Sequence, residues 1–238
     1  METTNEDQDL ELDPQLEGDR RPRTRKNGRG ENIPDVVIRR LPIYARTLEY
    51  LLAEGMVHVS SEELGDRIEV SAAQIRRDLA YFGDFGKQGK GYNVEFLLTQ
   101  IKAILQLQHD WNVALVGVGD LGRALARYDG FARSGFRVAA LFDHSARKQG
   151  QRVGPLVIQG MDALPAVVRE LDIAIALIAV PAAAAQEVAD LLVENGVRAI
   201  LNYAPTVVKV PRHVSIRHID PIVALQSMTY YLSSTDEC

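Results

Sequence analysis

The chain has 238 residues, of which 46% are hydrophobic and 25% are charged, and its net charge is −5. This length allows two compact domains, and the composition is that of a globular protein with no apolar run long enough to cross a bilayer. The acidic N-terminus is unlike a signal or transit peptide, and a single cysteine, Cys238, excludes an internal disulfide or a cysteine-based metal site, so we expect a cytoplasmic protein without metal or membrane partner.

The first 32 residues are predicted to be a disordered tail whose charge is segregated along the chain. Residues 1–19 contain eight acidic residues and no Lys or Arg, and the sequence RRPRTRKNGRG that follows is a basic arm. Two interpretations stay open, a solvated tail and an arm that contacts the DNA backbone. Residues 20–109 carry an excess of Lys and Arg, which suits a polyanionic partner.

Residues 33–92 are predicted to form a winged-helix DNA-binding domain. Pro34 suits the first turn of a helix, apolar residues then recur at roughly helical spacing, and Gly55 ends this helix. Two further short helices begin near Ser60 and Ser71, each of which is followed three residues later by Glu or Gln, the spacing of a capping box. Their tight connection indicates a helix-turn-helix.

The second of these helices has the features of a helix that reads DNA. Gln74, Arg77 and Tyr81 share one exposed face, with Arg76 beside them, and Arg and Gln can recognise guanine and adenine. The glycine-rich, basic loop 86-GKQGKGY is typical of a wing that enters the minor groove. A solvated helix and a surface turn would explain each piece alone, but their succession favours DNA binding. The residues predicted to bind DNA are Arg40, Arg46, Gln74, Arg76, Arg77, Tyr81, Lys87, Gln88 and Lys90.

Strands and helices alternate in the second half of the chain. Residues 93–111 are predicted to form a connecting helix, whose apolar stripe packs on one or both domains. From residue 112 to residue 219 continuous apolar strands, such as 173-IAIALIAV, lie between helices. This pattern predicts a parallel sheet covered on both faces, as in a Rossmann-type domain.

A glycine motif, 112-NVALVGVGDLG-122, marks the first strand and helix of this domain. Gly117 would allow a tight turn, Gly119 would let the backbone approach a pyrophosphate, and Gly122 would permit close packing of helix on sheet. Asp143 ends the next strand, 21 residues after Gly122, where an acid can bind an adenosine ribose. It favours NAD(H) over NADP(H), although the basic pair at 147–148 is nearby. A sheet that simply needs a tight turn is the alternative. The predicted cofactor contacts are Gly117, Val118, Gly119, Asp120, Leu121, Gly122, Asp143, Ala179, Val180, Pro181 and Asn202.

The nucleotide half offers little to an enzyme. Its histidines are His144, His213 and His218, and the sheet with its helices leaves no residues for a substrate domain. We expect no catalytic residues and a sensor of NADH and NAD+. An NAD-dependent dehydrogenase with an N-terminal interaction domain is the alternative, and a CoA- or nucleotide-binding subunit of a larger enzyme is a weaker third.

Several runs, taken in order, resemble one family. They are 71-SAAQIRRDLAYFGDFGKQGKGYNV, 115-LVGVGDLGRALARY, the pair FD at 142–143, 201-LNYAP and 219-IDPIVALQSMTYYL. They are similar to the Rex family, the redox-sensing transcriptional repressors of bacteria, over about residues 33–233. The resemblance implies a winged-helix domain fused to a Rossmann domain, and a homodimer that binds inverted-repeat operator DNA. It also implies that NADH releases the DNA and that NAD+ competes with NADH.

The last segment, 220–238, is predicted to be a helix and a short tail. Asp220 is a natural N-cap, with Pro221 at the first helical position. An apolar stripe of Ile222, Leu225, Met228 and Leu232 has to be buried somewhere. Packing on its own domain is one possibility. The resemblance implies instead that the helix is exchanged between the two subunits of a dimer.

The resemblance also implies a switch, and the sequence differs from the family pattern at two places. Asp220 would pair with Tyr128 when NADH is bound, and with Arg46 in the DNA-binding state. The sequence departs from the family at Gln88, where relatives often have a basic wing residue. It also departs at 144–145, where relatives often have a second acid, so that Asp143 would recognise the ribose largely alone.

Overall fold

The computed structural model describes residues 25–26, 32–87 and 89–232. It divides into two compact units, with the boundary between Leu107 and Gln108. Within the predicted tail, β1 (Arg25–Lys26) pairs antiparallel with β2 (Asn32–Ile33). The rest of the tail, the wing residue Gln88 and the chain beyond Leu232 lie outside the described residues.

The first unit is a winged helix, as its sequence predicts. Its further elements are α1 (Asp35–Ala53), β3 (His58–Val59), α2 (Ser61–Asp66), α3 (Ala72–Ala80), β4 (Gly86–Lys87), β5 (Gly91–Asn93) and α4 (Val94–Ile104). The three strands form an antiparallel sheet in the order β3-β5-β4. The hairpin of β4 and β5 is the wing that follows the predicted reading helix, α3.

Helix α4 belongs to the first unit and does not simply connect the two. Its buried residues Leu97 and Ile101 share a core with Leu41 and Leu48 of α1. The Asn93 side chain caps the helix by accepting a hydrogen bond from the Phe96 N–H. The helix ends at Ile104, seven residues before the end of the predicted connecting helix. Because its apolar stripe is buried against α1, α4 completes the winged-helix core.

The reading helix and its predecessor begin with serine caps. At α2 the capping box is complete, because Ser60 Oγ accepts from the Glu63 N–H and Glu63 Oε2 accepts from the Ser60 N–H. At α3 only half of the box forms, because Ser71 Oγ accepts from the backbone N–H of Gln74 while the Gln74 side chain turns to another partner. Each cap satisfies an N–H that the helix itself leaves unpaired.

Ser71→Ala is expected to lower the free energy of unfolding by about 1 kcal/mol, because it removes the α3 cap. Ser71→Gly should cost only a few tenths of that, since glycine is itself an acceptable cap residue. Denaturant unfolding of the two variants measures the difference. Equal losses in both would show that the Ser71 hydroxyl contributes nothing as a cap.

The second unit is built on a seven-stranded sheet. Its elements are β6 (Trp111–Val116), α5 (Asp120–Ala126), α6 (Asp129–Arg133), β7 (Phe136–Phe142), β8 (Arg152–Val153), β9 (Leu156–Gln159), α7 (Leu164–Glu170), β10 (Ile175–Ile178), α8 (Ala182–Glu194), β11 (Ala199–Asn202), β12 (Ser215–His218) and α9 (Pro221–Leu232). The strand order is β12-β11-β10-β6-β7-β9-β8, and every pairing is parallel except that of β8 with β9. The predicted Rossmann-type sheet is confirmed.

Apolar side chains cover both faces of this sheet. Along β6, Ala114 and Val116 lie in a core with residues of α7 and α8, while Val113 and Leu115 lie in a second core with residues of α5 and α6. Successive side chains of a strand point to opposite faces, so a strand buried on both faces has to be apolar throughout.

Three local features differ from the sequence prediction or lie outside it. The helix expected after the glycine motif is followed closely by a second one, so that α5 and α6 are separated only at residues 127–128. Strands β8 and β9 extend the sheet in a region for which no strand is predicted. Helix α9 forms as predicted, yet none of its residues is buried. Among the helices described, none has the length and hydrophobicity needed to span a membrane.

Candidate nucleotide and DNA sites

The loop after β6 has a shape that only glycine permits at its first position. Gly117 has a φ of +94°, and its N–H donates to the Phe142 carbonyl at 2.8 Å. A Cβ at Gly117 would lie 2.4 Å from the Ala179 carbonyl oxygen and 2.8 Å from Cγ1 of Val180. Both the backbone conformation and the contact with the next strand's loop therefore exclude a side chain.

Glycine is needed at the other two positions of the motif for different reasons. A Cβ at Gly122 would lie 1.9 Å from the Gly117 carbonyl oxygen, so α5 approaches the loop as closely as backbone allows. A Cβ at Gly119 would meet no atom within 4 Å. Gly119 is also the N-cap of α5, with no side chain to satisfy the first N–H groups of the helix. The space and the donors fit the pyrophosphate of a dinucleotide.

The remaining loop residues of the predicted set meet at the same edge of the sheet. Strand β6 lies between β7 and β10. The strand order runs from β6 through β7 on one side and through β10 on the other, so the edge of the sheet beside β6 is the topological switch point, where open parallel sheets bind ligands. Asp120 and Leu121 are exposed at the start of α5. Residues 179–181 connect β10 to α8, and the Ala179 N–H donates to the Val116 carbonyl at 2.8 Å. The structure therefore brings these segments together around Gly117.

Asp143 ends β7 beside this loop and is almost completely buried. Its Oδ2 accepts from the Val118 N–H at 2.8 Å and from Lys148 Nζ at 2.8 Å, and its Oδ1 accepts from the Ser145 N–H at 2.9 Å. The side chain is only 2% exposed. Val118, also in the predicted set, thus contributes its N–H to Asp143 and its side chain to the core.

These contacts determine the charge and the free capacity of Asp143. Burial by itself raises the pKa of Asp143, but the hydrogen bonds from Lys148, Ser145 and Val118 outweigh it and hold the pKa below the ordinary range. Each carboxylate oxygen can accept about two hydrogen bonds, so Oδ2 is full and Oδ1 has room for one more. A ribose hydroxyl would use that place. Lys148, the second residue of the basic pair at 147–148, is the ion-pair partner of the acid.

Asn202 is placed differently from the rest of the predicted set. Its side chain is completely buried at the end of β11, where Nδ2 donates to the carbonyls of Ala204 and Thr206 and lies 3.1 Å from His218 Nδ1. Its Oδ1 accepts from the Ala204 N–H. The side chain is therefore committed to the loop that follows β11, and any contribution to the nucleotide site is indirect, through the position of this loop.

Two of the three predicted switch residues lie in the second unit. Tyr128 is 60% exposed, packs edge-on against Phe131, and covers Gly130, where a Cβ would lie 2.4 Å from the Tyr128 ring. Asp220 Oδ1 accepts from the Ile222 N–H at 2.9 Å and so caps α9 as predicted. In the described part of the chain no hydrogen bond joins Tyr128 to Asp220. Arg46, the third switch residue, is exposed on α1.

The basic face of the reading helix agrees only in part with the prediction. Arg77 and Lys90 are exposed, and Arg76 is largely exposed with its guanidinium on Ser61 Oγ at 2.6 Å. Tyr81 is half-buried at the C-cap of α3. Of Lys87 only the backbone is described. The side chains of Arg77, Arg76 and Lys90 are therefore accessible to a polyanion in the folded protein.

The largest difference concerns Asp78, which the sequence analysis did not select. Asp78 is completely buried on α3 and accepts hydrogen bonds from Arg40 Nε and Nη2 at 2.5 and 2.7 Å, from the Tyr44 hydroxyl at 2.6 Å, and from Gln74 Nε2 at 2.7 Å. Arg40, predicted to bind DNA, is therefore held by Asp78. A signal was available, because Asp78 lies three residues after Ile75, on the apolar face of the helix.

This network shifts the pKa of both acidic partners. Burial raises the pKa of Asp78, but the hydrogen bonds from Arg40, Tyr44 and Gln74 and the charge of Arg40 outweigh it, so the pKa is lowered overall. Burial and the hydrogen bond to Asp78 raise the pKa of Tyr44. A buried carboxylate with all its partners present joins α3 to α1, and breaking it would leave Arg40 without its partner.

Asp78→Asn is expected to lower the free energy of unfolding at pH 7 by about 3 kcal/mol, as when one partner of a buried pair is removed. Because the folded pKa of Asp78 is lowered, its contribution is present above the ordinary carboxyl pKa and is lost as the pH falls toward the folded value. Denaturant unfolding followed by circular dichroism from pH 7 to pH 3 should show the wild type and variant converging in acid. A difference that is constant with pH would contradict this.

The histidines show no catalytic arrangement. His144 lies 3.6 Å from Asp143 through its Nδ1 but is 85% exposed, His213 is exposed in a loop, and His218 contacts Asn202. Within the residues that the structure describes, no group of three or more His, Cys, Asp or Glu could hold a metal ion.

Two family models match the chain, one on each unit. A model described as the N-terminus of a putative DNA-binding protein matches residues 32–80, and a model described as a CoA binding domain matches residues 108–206.

The relatives match along nearly the whole chain. The redox-sensing transcriptional repressor Rex of Chloroflexus aggregans is 60% identical over 205 residues, which are 86% of this chain and 97% of the relative. The repressor of the same name from Chloroflexus aurantiacus is 59% identical over 204 residues, 86% of this chain and 96% of that one. Rex of Streptomyces coelicolor is 44% identical over 211 residues, covering 89% and 80%.

Two solved structures have the same fold. A crystal structure of RSP in complex with beta-NAD+ and operator DNA matches with a TM-score of 0.81 and 37% identity, over 85% of this chain and 93% of that chain. RSP in complex with beta-NADH matches with a TM-score of 0.75 and 36% identity, over 84% and 93%. RSP is described as a Rex-family repressor.

Proposed function

Because the chain belongs to the Rex family of redox-sensing transcriptional repressors, we propose that it binds inverted-repeat operator DNA as a homodimer and releases it when NADH binds. The observation that carries this proposal is the presence, in one chain, of a winged helix with a basic reading helix and of a glycine loop at the switch point of a parallel sheet. The relative RSP has been solved with NAD+ and operator DNA together, which supports the same combination here.

NADH and NAD+ are the proposed effector ligands of the second unit. The open space at Gly119 and the N–H groups at the start of α5 would hold the pyrophosphate, whose oxygens would accept from those N–H groups. The adenosine ribose donates to Oδ1 of Asp143. A 2′-phosphate would face that buried carboxylate, which favours NADH over NADPH. Residues 179–181 line the nicotinamide side of the loop.

Helix α9 is the proposed dimer element. It is apolar on almost every side and none of its residues is buried within its own chain. A helix that is hydrophobic all round is normally enclosed by protein, so insertion into a second copy explains the sequence better than a surface position. A dimer of winged helices also fits an inverted repeat, because each copy then reads one half-site.

The chain is proposed to act as a cytoplasmic regulator and not as an enzyme. His144 lies 3.6 Å from Asp143 Oδ1, beyond hydrogen-bond distance, and His218 contacts the amide of Asn202, so neither has the carboxylate hydrogen bond that usually orients a catalytic histidine. In the proposed switch, NADH favours contact of Tyr128 with Asp220, and its absence lets Asp220 pair with Arg46. Tyr128 is suited to this because its ring is exposed and the residue directly follows α5, the helix that begins at the glycine loop. A coupling free energy of about 1–3 kcal/mol is typical of such switches.

The direct test is a mobility-shift titration on inverted-repeat DNA with NADH, NAD+ and NADPH. NADH should release the protein from DNA, whereas NAD+ and NADPH should act only by competing with NADH. Salt should weaken DNA binding steeply, as phosphate contacts require. Asp220→Ala should reduce the NADH response. DNA binding that is absent, or that ignores NADH, would reject the proposal.

Arginine variants separate base recognition from general attraction. Arg77→Ala is expected to reduce discrimination between operator sequences, because its side chain is exposed on the reading helix and makes only one long hydrogen bond, to the Ala73 carbonyl at 3.4 Å. Arg169→Ala, which removes the same charge from α7 in the other unit, is the matched control and should leave discrimination unchanged.

A further inference from the structure

An ion pair, Asp143 with Lys148, stands where the adenosine ribose of a dinucleotide is proposed to bind. Lys148 Nζ donates to Asp143 Oδ2 at 2.8 Å, and the Val118 N–H holds the same oxygen from the glycine loop. The side chain of Asp143 is only 2% exposed, whereas that of Lys148 is 33% exposed. The acid of this pair is therefore enclosed by protein, while part of its cation is open to solvent and to a ligand.

Lys148 is the cation that acts on Asp143. Burial raises the pKa of Asp143, and the hydrogen bond from Lys148 is the largest of the contacts that lower it. Arg147 is exposed, and among the described residues no ion pair joins it to Asp143. The loop that follows the acid, 144-HSARKQGQ, contains no second carboxylate. The surroundings of the proposed ribose position therefore contain one buried negative charge with a positive charge directly on it.

A group bound at the free position of Asp143 meets both of these charges. The ribose 2′-hydroxyl would donate to Oδ1, while Lys148 holds Oδ2 of the same carboxylate. The hydroxyl and the ammonium then lie closer together than the Debye length of about 8 Å at physiological salt, so salt does not screen one from the other. A phosphate on this hydroxyl would be repelled by Asp143 and attracted by Lys148 over similar short distances, and the two effects largely cancel.

We propose that Lys148 is a specificity-determining residue of the nucleotide site, which offsets the charge of Asp143 and so admits a nucleotide with a 2′-phosphate. The preference for NADH over NADPH then comes from the hydrogen bond that the 2′-hydroxyl makes to Oδ1 and a phosphate cannot make. A hydrogen bond to a charged group of this kind corresponds to a preference of about tenfold to a hundredfold, not to exclusion. This inference rests on the proposed function, in which the second unit binds NADH.

Two ligands without a nicotinamide isolate the adenosine end of the site. ADP-ribose and 2′-phospho-ADP-ribose differ only in the 2′-phosphate, and calorimetric titration of the full-length protein gives the affinity of each. The wild type should bind both, with the modest preference for ADP-ribose. In Lys148→Met this preference should widen by a further tenfold or about that, because the carboxylate then repels the phosphate without compensation. Affinity for ADP-ribose should change by no more than about threefold, since the N–H groups of Val118 and Ser145 still hold Asp143.

Two further variants separate the charge of Lys148 from its hydrogen bond and from the general charge of the loop. Lys148→Gln keeps a donor for Asp143 and removes the charge, so it should widen the preference as Lys148→Met does, and it provides the same comparison if Lys148→Met does not fold. Arg147→Met removes the neighbouring cation, which is exposed, and should leave the preference within about twofold of the wild type.

Three results would overturn the inference. One is a wild type that binds ADP-ribose and shows no binding of 2′-phospho-ADP-ribose. Another is an equal loss of both ligands in Lys148→Met, or a wild-type preference in Lys148→Gln, because Lys148 would then only hold the shape of the site. The third is an Arg147→Met protein whose preference widens as much as that of Lys148→Met. A protein that binds operator DNA and responds to NADH while giving any of these results would lose only this inference, whereas a wild type that binds neither ligand nor NADH would lose the proposed function.

Discussion

Gly119→Ala is expected to give a folded protein that no longer responds to NADH, whereas Gly117→Ala is expected to be unstable. The two glycines belong to one motif but meet different surroundings. A methyl group at position 119 enters open space at an ordinary φ of −80°, so the free energy of unfolding should change by no more than about 0.5 kcal/mol. The same methyl stands where the pyrophosphate has to approach, so NADH affinity should fall by about tenfold or more.

At position 117 the methyl group has no place. It would lie 2.4 Å from the Ala179 carbonyl oxygen on a backbone with a φ of +94°. Strain of this kind costs about 1–3 kcal/mol and the steric overlap adds to it, so a loss of about 3 kcal/mol or more is expected. Thermal unfolding and NADH titration by calorimetry distinguish the variants. A stable Gly117→Ala protein, or a Gly119→Ala protein with wild-type NADH affinity, would contradict this account of the loop.

The sequence predicts the fold well where a local pattern is compatible with only one structure. The apolar strands before Gly117 and Asp143 can be buried only within a sheet covered on both faces, so the Rossmann architecture follows from the pattern. Helix α4 is less determined, because its apolar stripe shows that it packs but not on which unit. The break between α5 and α6 has no signal in the sequence, and in the structure the Tyr128 ring lies over Gly130 directly after it.

The site is predicted in the same uneven way. The glycines follow from backbone geometry, which acts within a few residues, and Asp143 follows from its spacing. The partners of Asp143 and Asn202 depend on contacts between strands, and sequence spacing does not specify them. Arg40 and Gln74 are both among the predicted DNA contacts, Gln74 because it shares a face of the reading helix with Arg77 and Tyr81. Asp78, buried between α1 and α3, engages them instead, and only the packing of those helices brings the three together.

Helix α9 presents an energetic problem that one chain does not solve. The side chains of Ile222, Leu225 and Met228 are 57%, 58% and 61% exposed, and the opposite side of the helix carries Val223 and Tyr230, at 60% and 76%. Burying a side chain of the Leu, Ile or Met type contributes about 1.5–3 kcal/mol, so leaving them all in water would cost much of the stability of a domain. In the proposed dimer, a second copy that encloses the helix would remove this cost.

If α9 forms the proposed dimer interface, Leu225→Asp combined with Met228→Asp is expected to separate the dimer. The loss of two buried apolar side chains amounts to about 3–6 kcal/mol, and two buried carboxylates oppose association further. Light scattering after size-exclusion chromatography should give the mass of a monomer, and operator affinity should fall by about a hundredfold or more, because a monomer engages only one half-site. The matched control, Gln108→Asp with Ala166→Asp, adds the same charges at exposed positions of the second unit outside α9 and should remain a dimer. If both double variants stay dimeric and bind operator DNA normally, the dimer interface lies elsewhere, and the exposed face of α9 has another occupant.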